Sequence, residues 1–584
     1  MTSFPNRALA PTLCALLFGA ASGAWAQTSP DTTAGSVATP GGQSSESPAP
    51  VETTAIPAPP GVVVNTLGDI DGPAVGLLDD ATGGLGGQMW SGASRVDLEE
   101  ELVRIPVVTA DRTVRDLARR ILLTAAEIPV GPGKRPLIAI RLERLLDAGF
   151  LDEAGALAAK AELPNNPEFA RVQAEALLYA QRDADICSDK TSARLSSADL
   201  FWLQLRAYCY AVTGDTAAAD LTRSVMSAQG VNDPVLDAAL VGDAKAVLAA
   251  DITRPTPVDI YLLRKAGGTV TAELAAPLGT PADVLAARDA HNPPEVRLVA
   301  AERIASTGAL SSDELRAIAD AQTQDTQREG DTSFLAQQFA LRRKVALESS
   351  MVGKLALIAQ AAAMRPPMPV LAALQSDNVA AIVPETSLGG GAMLAARILL
   401  TDGNAEAAVQ WIGAPDSVRV AQTSLALDLL APTPERDARA QDDLAWLVAH
   451  AAPDTGSPAA AALAIGMWQA LGRPLAPDAV GLDAALSTQV FAGVELPAEL
   501  FRRIDSAAAA SDRRGEAALL VIDAIGAGSI AHLAPDASVR LVATLQKLGL
   551  DQAAHALAAE ALLSGPPAEP VPPPRPAAPA PAAP

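Results

Sequence analysis

The stretch LLDAGFLDEAGALAAKA, from Leu145 to Ala161, decides how this chain is read. One apolar segment ends at Gly149 and another starts at once, with Ala154 near its beginning. Glycine after a helix lets the backbone enter the left-handed region that stops the helix, with no Cβ to clash. Alanine five residues later presents little bulk, so two helices joined by such a short turn can lie close together. The arrangement recurs in YAVTGDTAAADLTRSV (Gly214, Ala219), LLTDGNAEAAVQWI (Gly403, Ala408) and LQKLGLDQAAHALAAEAL (Gly549, Ala554). SDRRGEAALLVIDAIG, around Gly515, is a weaker relative.

Outward from these hairpins, nearly everything from residue 95 to residue 563 reads as helix. Five sites place a capping side chain directly before proline: Asn166-Pro167, Asp233-Pro234, Thr256-Pro257, Thr280-Pro281 and Thr433-Pro434. The cap oxygen accepts an otherwise unpaired backbone N–H, and proline lacks a donor where none is needed. Long alternating β-branched runs are absent, and aromatic residues make up only 3% of the chain. The fold class expected is all-α. The glycine-then-alanine hairpins resemble those of tetratricopeptide repeats, in which glycine ends the first helix and alanine sits in the second. The resemblance is local to these hairpins. It implies a right-handed α-α superhelix, a solenoid of stacked helix pairs with an extended surface for protein partners.

The ends read differently. MTSFPNRALAPTLCALLFGAASGAWAQ has one basic residue (Arg7), a short apolar run broken by Pro11 and Gly19, and the small-x-small pattern Ala24-Trp25-Ala26. Residues 1–26 are therefore expected to be a cleaved secretory signal, which sends the mature chain to a periplasm or the exterior, and the alanine- and proline-rich composition favours the periplasm. Residues 27–60 contain almost no large apolar side chains and read as a disordered linker. Residues 61–94 form a glycine-rich irregular arm, expected to be pinned by Leu77, Leu78, Met89 and Trp90 and closed by a helix cap at Ser94. Residues 564–584 are a proline- and alanine-rich disordered tail.

Removing the signal removes Cys14 and leaves Cys187 and Cys209. Helices are expected over about 167–182 and 197–213, with Phe201, Leu205, Tyr208 and Val212 marking a buried stripe in the second. Cys209 lies roughly 18 Å into that helix. The ten residues before the helix can span about 33 Å when extended. Cys187 can therefore reach Cys209, and an oxidising compartment favours a disulfide between them. A spacing of 22 residues is not that of a Cys-x-x-Cys redox pair.

Charge and motifs narrow the function. The net charge of −23, with no cluster of Lys and Arg, opposes binding to nucleic acid or anionic lipid. The sequence has no His-Glu-x-x-His, no Gly-x-Ser-x-Gly and no phosphate-binding loop. His291, His450, His532 and His555 are scattered. Gly389, Gly390 and Gly391 precede a helix without the lysine that a phosphate site needs. Asp69, Asp71, Asp79 and Asp80 lie close in sequence but match no calcium loop. Glu348-Ser349 is similar to the catalytic pair of soluble lytic transglycosylases, periplasmic α-superhelices. However, the Gly-Leu-Met-Gln element expected downstream is missing. No catalytic, cofactor-binding or metal-binding residue is assigned. The expected function is that of a non-catalytic periplasmic scaffold or adaptor for a protein partner in envelope, motility or secretion machinery. A cell-wall enzyme or its regulator, of the superhelical lytic transglycosylase type, is the alternative.

Overall fold

The glycine turns fold as their spacing requires. In the computed structural model φ is +77° at Gly149, with +88° at Gly214, +85° at Gly403 and +67° at Gly549. The four alanines that follow, Ala154, Ala219, Ala408 and Ala554, are all buried. A Cβ on Gly149 would lie 2.9 Å from the Ala309 Cβ and 3.0 Å from a Val284 methyl, so this turn also packs against a later helix and a later connecting segment. Gly515 differs. It is the second residue of a helix, and a Cβ there would sit 2.8 Å from the Met89 side chain. Its small size admits the arm and makes no turn.

The structure describes residues 71–565, apart from 110, 164–165, 189–198, 250–254, 323–332, 385–390, 414–415 and 452–456. The expected signal, the linker, residues 61–70 of the arm and all but the first two residues of the tail lie outside the described residues. Twenty-eight α-helices run in order through the described chain. The first six are α1 (Arg95–Arg104), α2 (Arg112–Leu123), α3 (Leu137–Asp147), α4 (Leu151–Lys160), α5 (Pro167–Tyr179) and α6 (Asp183–Ile186). Next come α7 (Leu200–Val212), α8 (Thr216–Ala228), α9 (Pro234–Leu240), α10 (Ala244–Ala249), α11 (Pro257–Lys265), α12 (Ala272–Ala275), α13 (Thr280–Arg288) and α14 (Pro294–Ile304). They are followed by α15 (Ser312–Ala321), α16 (Phe334–Leu347), α17 (Met351–Ala363), α18 (Met368–Ala380), α19 (Ala392–Thr401), α20 (Ala405–Ala408) and α21 (Val418–Leu430). The last seven are α22 (Pro434–Ala449), α23 (Ser457–Ala470), α24 (Pro477–Leu486), α25 (Ala498–Ala508), α26 (Arg514–Ile525), α27 (Pro535–Lys547) and α28 (Asp551–Ser564). Among the described residues the only β pairing is two isolated bridges, Leu78 with Thr124 and Val494 with Leu533. The protein is all-α.

Four of the five cap-proline sites start helices as expected. Asn166, Asp233, Thr256 and Thr433 each accept a backbone N–H of the first turn, and Thr256 forms a full capping box with Asp259. Thr280 does not cap. It is itself the first residue of α13, and Gly279, at φ +73°, stands at the cap. Ser94 caps α1 by accepting the Asp97 N–H.

Neighbouring helices pair along the chain, as α3 with α4, α7 with α8, α13 with α14 and α21 with α22. The two ends of the helical region also meet. Helices α1 and α2 pack on α26, and α2 also packs on α28. Glu560 of α28 accepts from the Thr113 backbone N–H at 3.2 Å and from its hydroxyl at 2.8 Å. Arginines of α2 tie this junction to helix ends elsewhere. Arg112 donates to the Asp402 carbonyl at 2.9 Å and Arg115 to the Ala148 carbonyl at 2.8 Å. Those carbonyls close α19 and α3. A cation there meets unpaired carbonyls and the negative end of a helix dipole.

The arm is fixed to the body by backbone pairing and one buried cation. The Leu77 and Leu78 amides both donate to the Leu123 carbonyl, at 2.8 and 3.0 Å. Leu85, Met89 and Trp90 are fully buried, and Leu77 and Leu78 half-buried. Arg141, buried in α3, donates to the carbonyls of Leu122 (2.7 Å), Val75 (2.8 Å) and Thr124 (3.0 Å). Burial without a carboxylate partner pushes its guanidinium down to about 10.

Candidate functional surface

The expected helices around the cysteines exist with shifted ends: α5 stops at Tyr179 and α7 starts at Leu200. Cys187 and Cys209 form a disulfide, with Cα atoms 5.2 Å apart. Ten of the residues between them, 189–198, lie outside the described residues. The bond ties the end of α6 to the third turn of α7. Other contacts hold α7 in place. Asp199 caps it, accepting from the Phe201 amide at 2.9 Å. The Arg171 guanidinium lies 3.7 Å over the Phe201 ring. Tyr208 meets Tyr261 of α11 edge-on, with ring centroids 5.2 Å apart, and Gln204 donates to Asp233 at 2.6 Å. Phe201, Leu205 and Tyr208 are buried as the spacing implied. Val212, the last residue of α7, is not: it is 56% exposed.

Helix α8 lies on this fixed base. Asp215 caps it, accepting from the Ala218 amide at 3.0 Å. Its buried residues are a single stripe, Ala219, Thr222 and Met226, and its extensive packing is with α7. The opposite face carries a second apolar stripe turned to solvent. Leu221 is 67% and Val225 41% exposed, with Ala217 and Ala228 exposed on either side.

Between α8 and α9 lies a depression of about 390 Å³ bordered by Asp220, Arg223, Ser227, Asn232 and Asp237. Arg223 donates to Asp237 at 2.8 Å and to Asp220 at 3.1 Å. These carboxylates raise the guanidinium above its ordinary value, its hydrogen bond to Asp237 foremost. The cation is therefore committed to its own neighbours, and two carboxylates share one positive charge.

The remaining residues flagged by the sequence do not converge. Asp69, Gly389 and Gly390 lie outside the described residues. Asp71 is buried against Arg95, with oxygen–nitrogen distances of 2.7 and 2.9 Å, and also accepts the Leu137 amide. Asp79 closes its own turn by accepting from Ala81 and Thr82. Asp80 is exposed. Gly391 stands at the start of α19, where a Cβ would come 3.1 Å from a Leu355 methyl. Glu348 follows α16, and its Oε1 accepts from the Ser350 amide at 2.9 Å, next to the first turn of α17. The imidazoles are each held locally: His291 by Asp289, His450 stacked on Trp446, His532 by the Ser529 amide and His555 against the Leu429 carbonyl. Among the described residues no group of three or more His, Cys, Asp and Glu is placed to hold a metal ion. No helix among them is long and apolar enough to cross a membrane.

Buried carboxyls lie where helices meet. Glu101 of α1 faces Arg503 of α25 and Glu516 of α26, and burial raises it to about 7. Burial, with Asp111 beside it, raises Glu560 well above the carboxylate range. Asp443 is raised to about 6 by burial, with the Asp428 charge adding to the effect. All three sit in packed interfaces. Sequence reading did not find the exposed stripe of α8. The signal was there, because Ala217, Leu221, Val225 and Ala228 repeat at helical spacing out of phase with Ala219, Thr222 and Met226. No protein family, curated protein or solved structure was found to match this chain.

Proposed function

We propose that the chain is a non-catalytic scaffold or adaptor that works in the periplasm and binds a protein partner through its helical surface. The signal-like N-terminus and the Cys187–Cys209 disulfide support an oxidising compartment outside the cytoplasm. The glycine–alanine hairpins and the pairing of successive helices support a solenoid of helix pairs, one whose two ends touch where α1 and α2 pack on α26 and α28; its right-handed, tetratricopeptide-like form is part of the proposal.

The observation that carries the reading is α8. It presents a second apolar stripe to solvent on a base braced by a disulfide, while Arg223 in the neighbouring depression is held by Asp237 and Asp220. Exposed apolar area on a rigid support suits contact with another protein better than turnover of a small substrate. The lytic transglycosylase reading needs Glu348 as a proton donor in a sugar cleft. Its carboxylate instead accepts the Ser350 backbone N–H at 2.9 Å, beside the start of α17.

The test is chemical cross-linking in intact cells followed by purification. The scaffold reading expects one protein recovered in stoichiometric amount. Release of soluble glycan from purified peptidoglycan by the purified protein overturns it.

A further inference from the structure

Building on the scaffold reading, we infer that the outer face of α8 and its acidic border dock a basic amphipathic helix of the partner protein. The face has the form a helix needs. Ala217, Leu221, Ser224 and Ala228 follow each other at intervals of four, three and four residues, and Val225 lies beside them. That is the spacing of a seam between two packed helices. Small residues at both ends allow axes to approach to about 8–10 Å, and Leu221 stands at the middle as the one long side chain. The thirteen residues of α8 give a seam of about 20 Å. The support is stiff, because α7 beneath is held by the disulfide, by Arg171 on Phe201 and by Gln204 on Asp233.

Charge selects the occupant. The block from residue 199 to residue 249 has six aspartates against Arg206, Arg223 and Lys245. At the border of the seam, Arg223 is shared by Asp220 and Asp237, so this trio keeps a net negative charge. Lysines or arginines flanking an apolar stripe would complete the match, and the attraction would also speed encounter. A second copy of this chain is the poorer occupant. Each copy carries −23, and pairing α8 with its own counterpart brings acidic border to acidic border.

The test uses the full mature protein and two labelled 18-residue helical peptides with the same leucine stripe, one flanked by lysine and one by glutamate. Binding is read by fluorescence anisotropy at low and physiological salt. The lysine peptide is expected to bind and the glutamate peptide not. Leu221→Asp should weaken binding at least tenfold, about 1.4 kcal/mol. Asp237→Asn should weaken it about threefold and flatten its salt dependence. Leu221 is exposed, so folding should survive, which circular dichroism and non-reducing mass spectrometry check. Binding that Leu221→Asp leaves unchanged would be general attraction to an acidic protein and overturns the inference. So does equal binding of the two peptides, or a dimer in light scattering that Leu221→Asp dissolves. If the peptides fail while cross-linking through another face still yields a stoichiometric partner, the docking inference falls and the scaffold reading stands.

Discussion

Neutralising Glu101 should stabilise the protein at alkaline pH and leave it unchanged in acid. Glu101 is buried in α1, where that helix meets α25 and α26, and Arg503 donates to it. Burial outweighs the attraction of Arg503, and the nearby Glu516 charge adds to the rise, so the carboxyl is pushed from 4.5 to about 7. Below about pH 4.5 the group is protonated in both the folded and the unfolded chain and has no effect on stability. Between about 4.5 and 7 the unfolded chain has released its proton and the folded one has not, so stability falls as pH rises. Above about 7 the loss is complete. Moving the carboxyl from 4.5 to about 7 corresponds to roughly 3 kcal/mol. Glu101→Gln keeps an acceptor for Arg503 and removes the charge. The attraction of Arg503 is already contained in that rise, and exchanging the carboxyl for an amide changes the remaining hydrogen bond by up to about 1 kcal/mol. The variant should therefore gain about 1–3 kcal/mol at pH 8 and nothing at pH 4. Urea midpoints of variant and parent at pH 4, 6 and 8 measure this. A difference that does not change with pH, or a variant less stable than its parent at pH 8, would refute the reasoning.

Three further outcomes follow from the packing. Gly149→Ala should destabilise more than Gly214→Ala. Both need a positive φ, at about 1 kcal/mol, but only the Gly149 methyl would press on Ala309 and Val284. Equal urea midpoints would contradict the close approach at that turn. Non-reducing mass spectrometry should find the Cys187 and Cys209 peptides joined. Cys187→Ser should cost about 3 kcal/mol in the chain-entropy account and speed amide exchange in α7 and α8 ahead of the rest of the chain. Uniform exchange across the helices would mean that the bond does not brace this block. Arg141→Met should leave the carbonyls of Leu122, Val75 and Thr124 without that donor and cost about 3 kcal/mol. Limited proteolysis should then cut first in residues 71–93, and an unchanged cleavage pattern would show that the arm is held by other contacts.

What could be read from the sequence was local. A glycine followed by an alanine five residues later fixes a turn and a close helix contact by itself, and these hairpins formed where expected. A cap side chain before proline is equally self-contained. It failed only at Thr280, where the preceding Gly279 has the freedom to take the cap position and shifts the start by one residue. Gly515 looked like a turn because its neighbours are helical. Its role depends on Met89, more than four hundred residues away in sequence, and no pattern near Gly515 announces that. The meeting of α1 and α2 with α26 and α28 escaped for the same reason. Thr113 and Glu560 are ordinary residues until the fold brings them together. The stripe of α8 was visible as a pattern. Its exposure was not, because periodicity marks an apolar face without saying whether another helix covers it.

The most direct measurement of the central claim is photo-cross-linking in intact cells from a probe at Leu221, with a probe at the exposed Leu347 as reference. The account predicts one stoichiometric adduct from Leu221, mapped by mass spectrometry to a lysine- or arginine-rich helix of another protein and lost when the partner is deleted. No adduct from Leu221 above the Leu347 reference, together with glycan release by the purified protein, would contradict it.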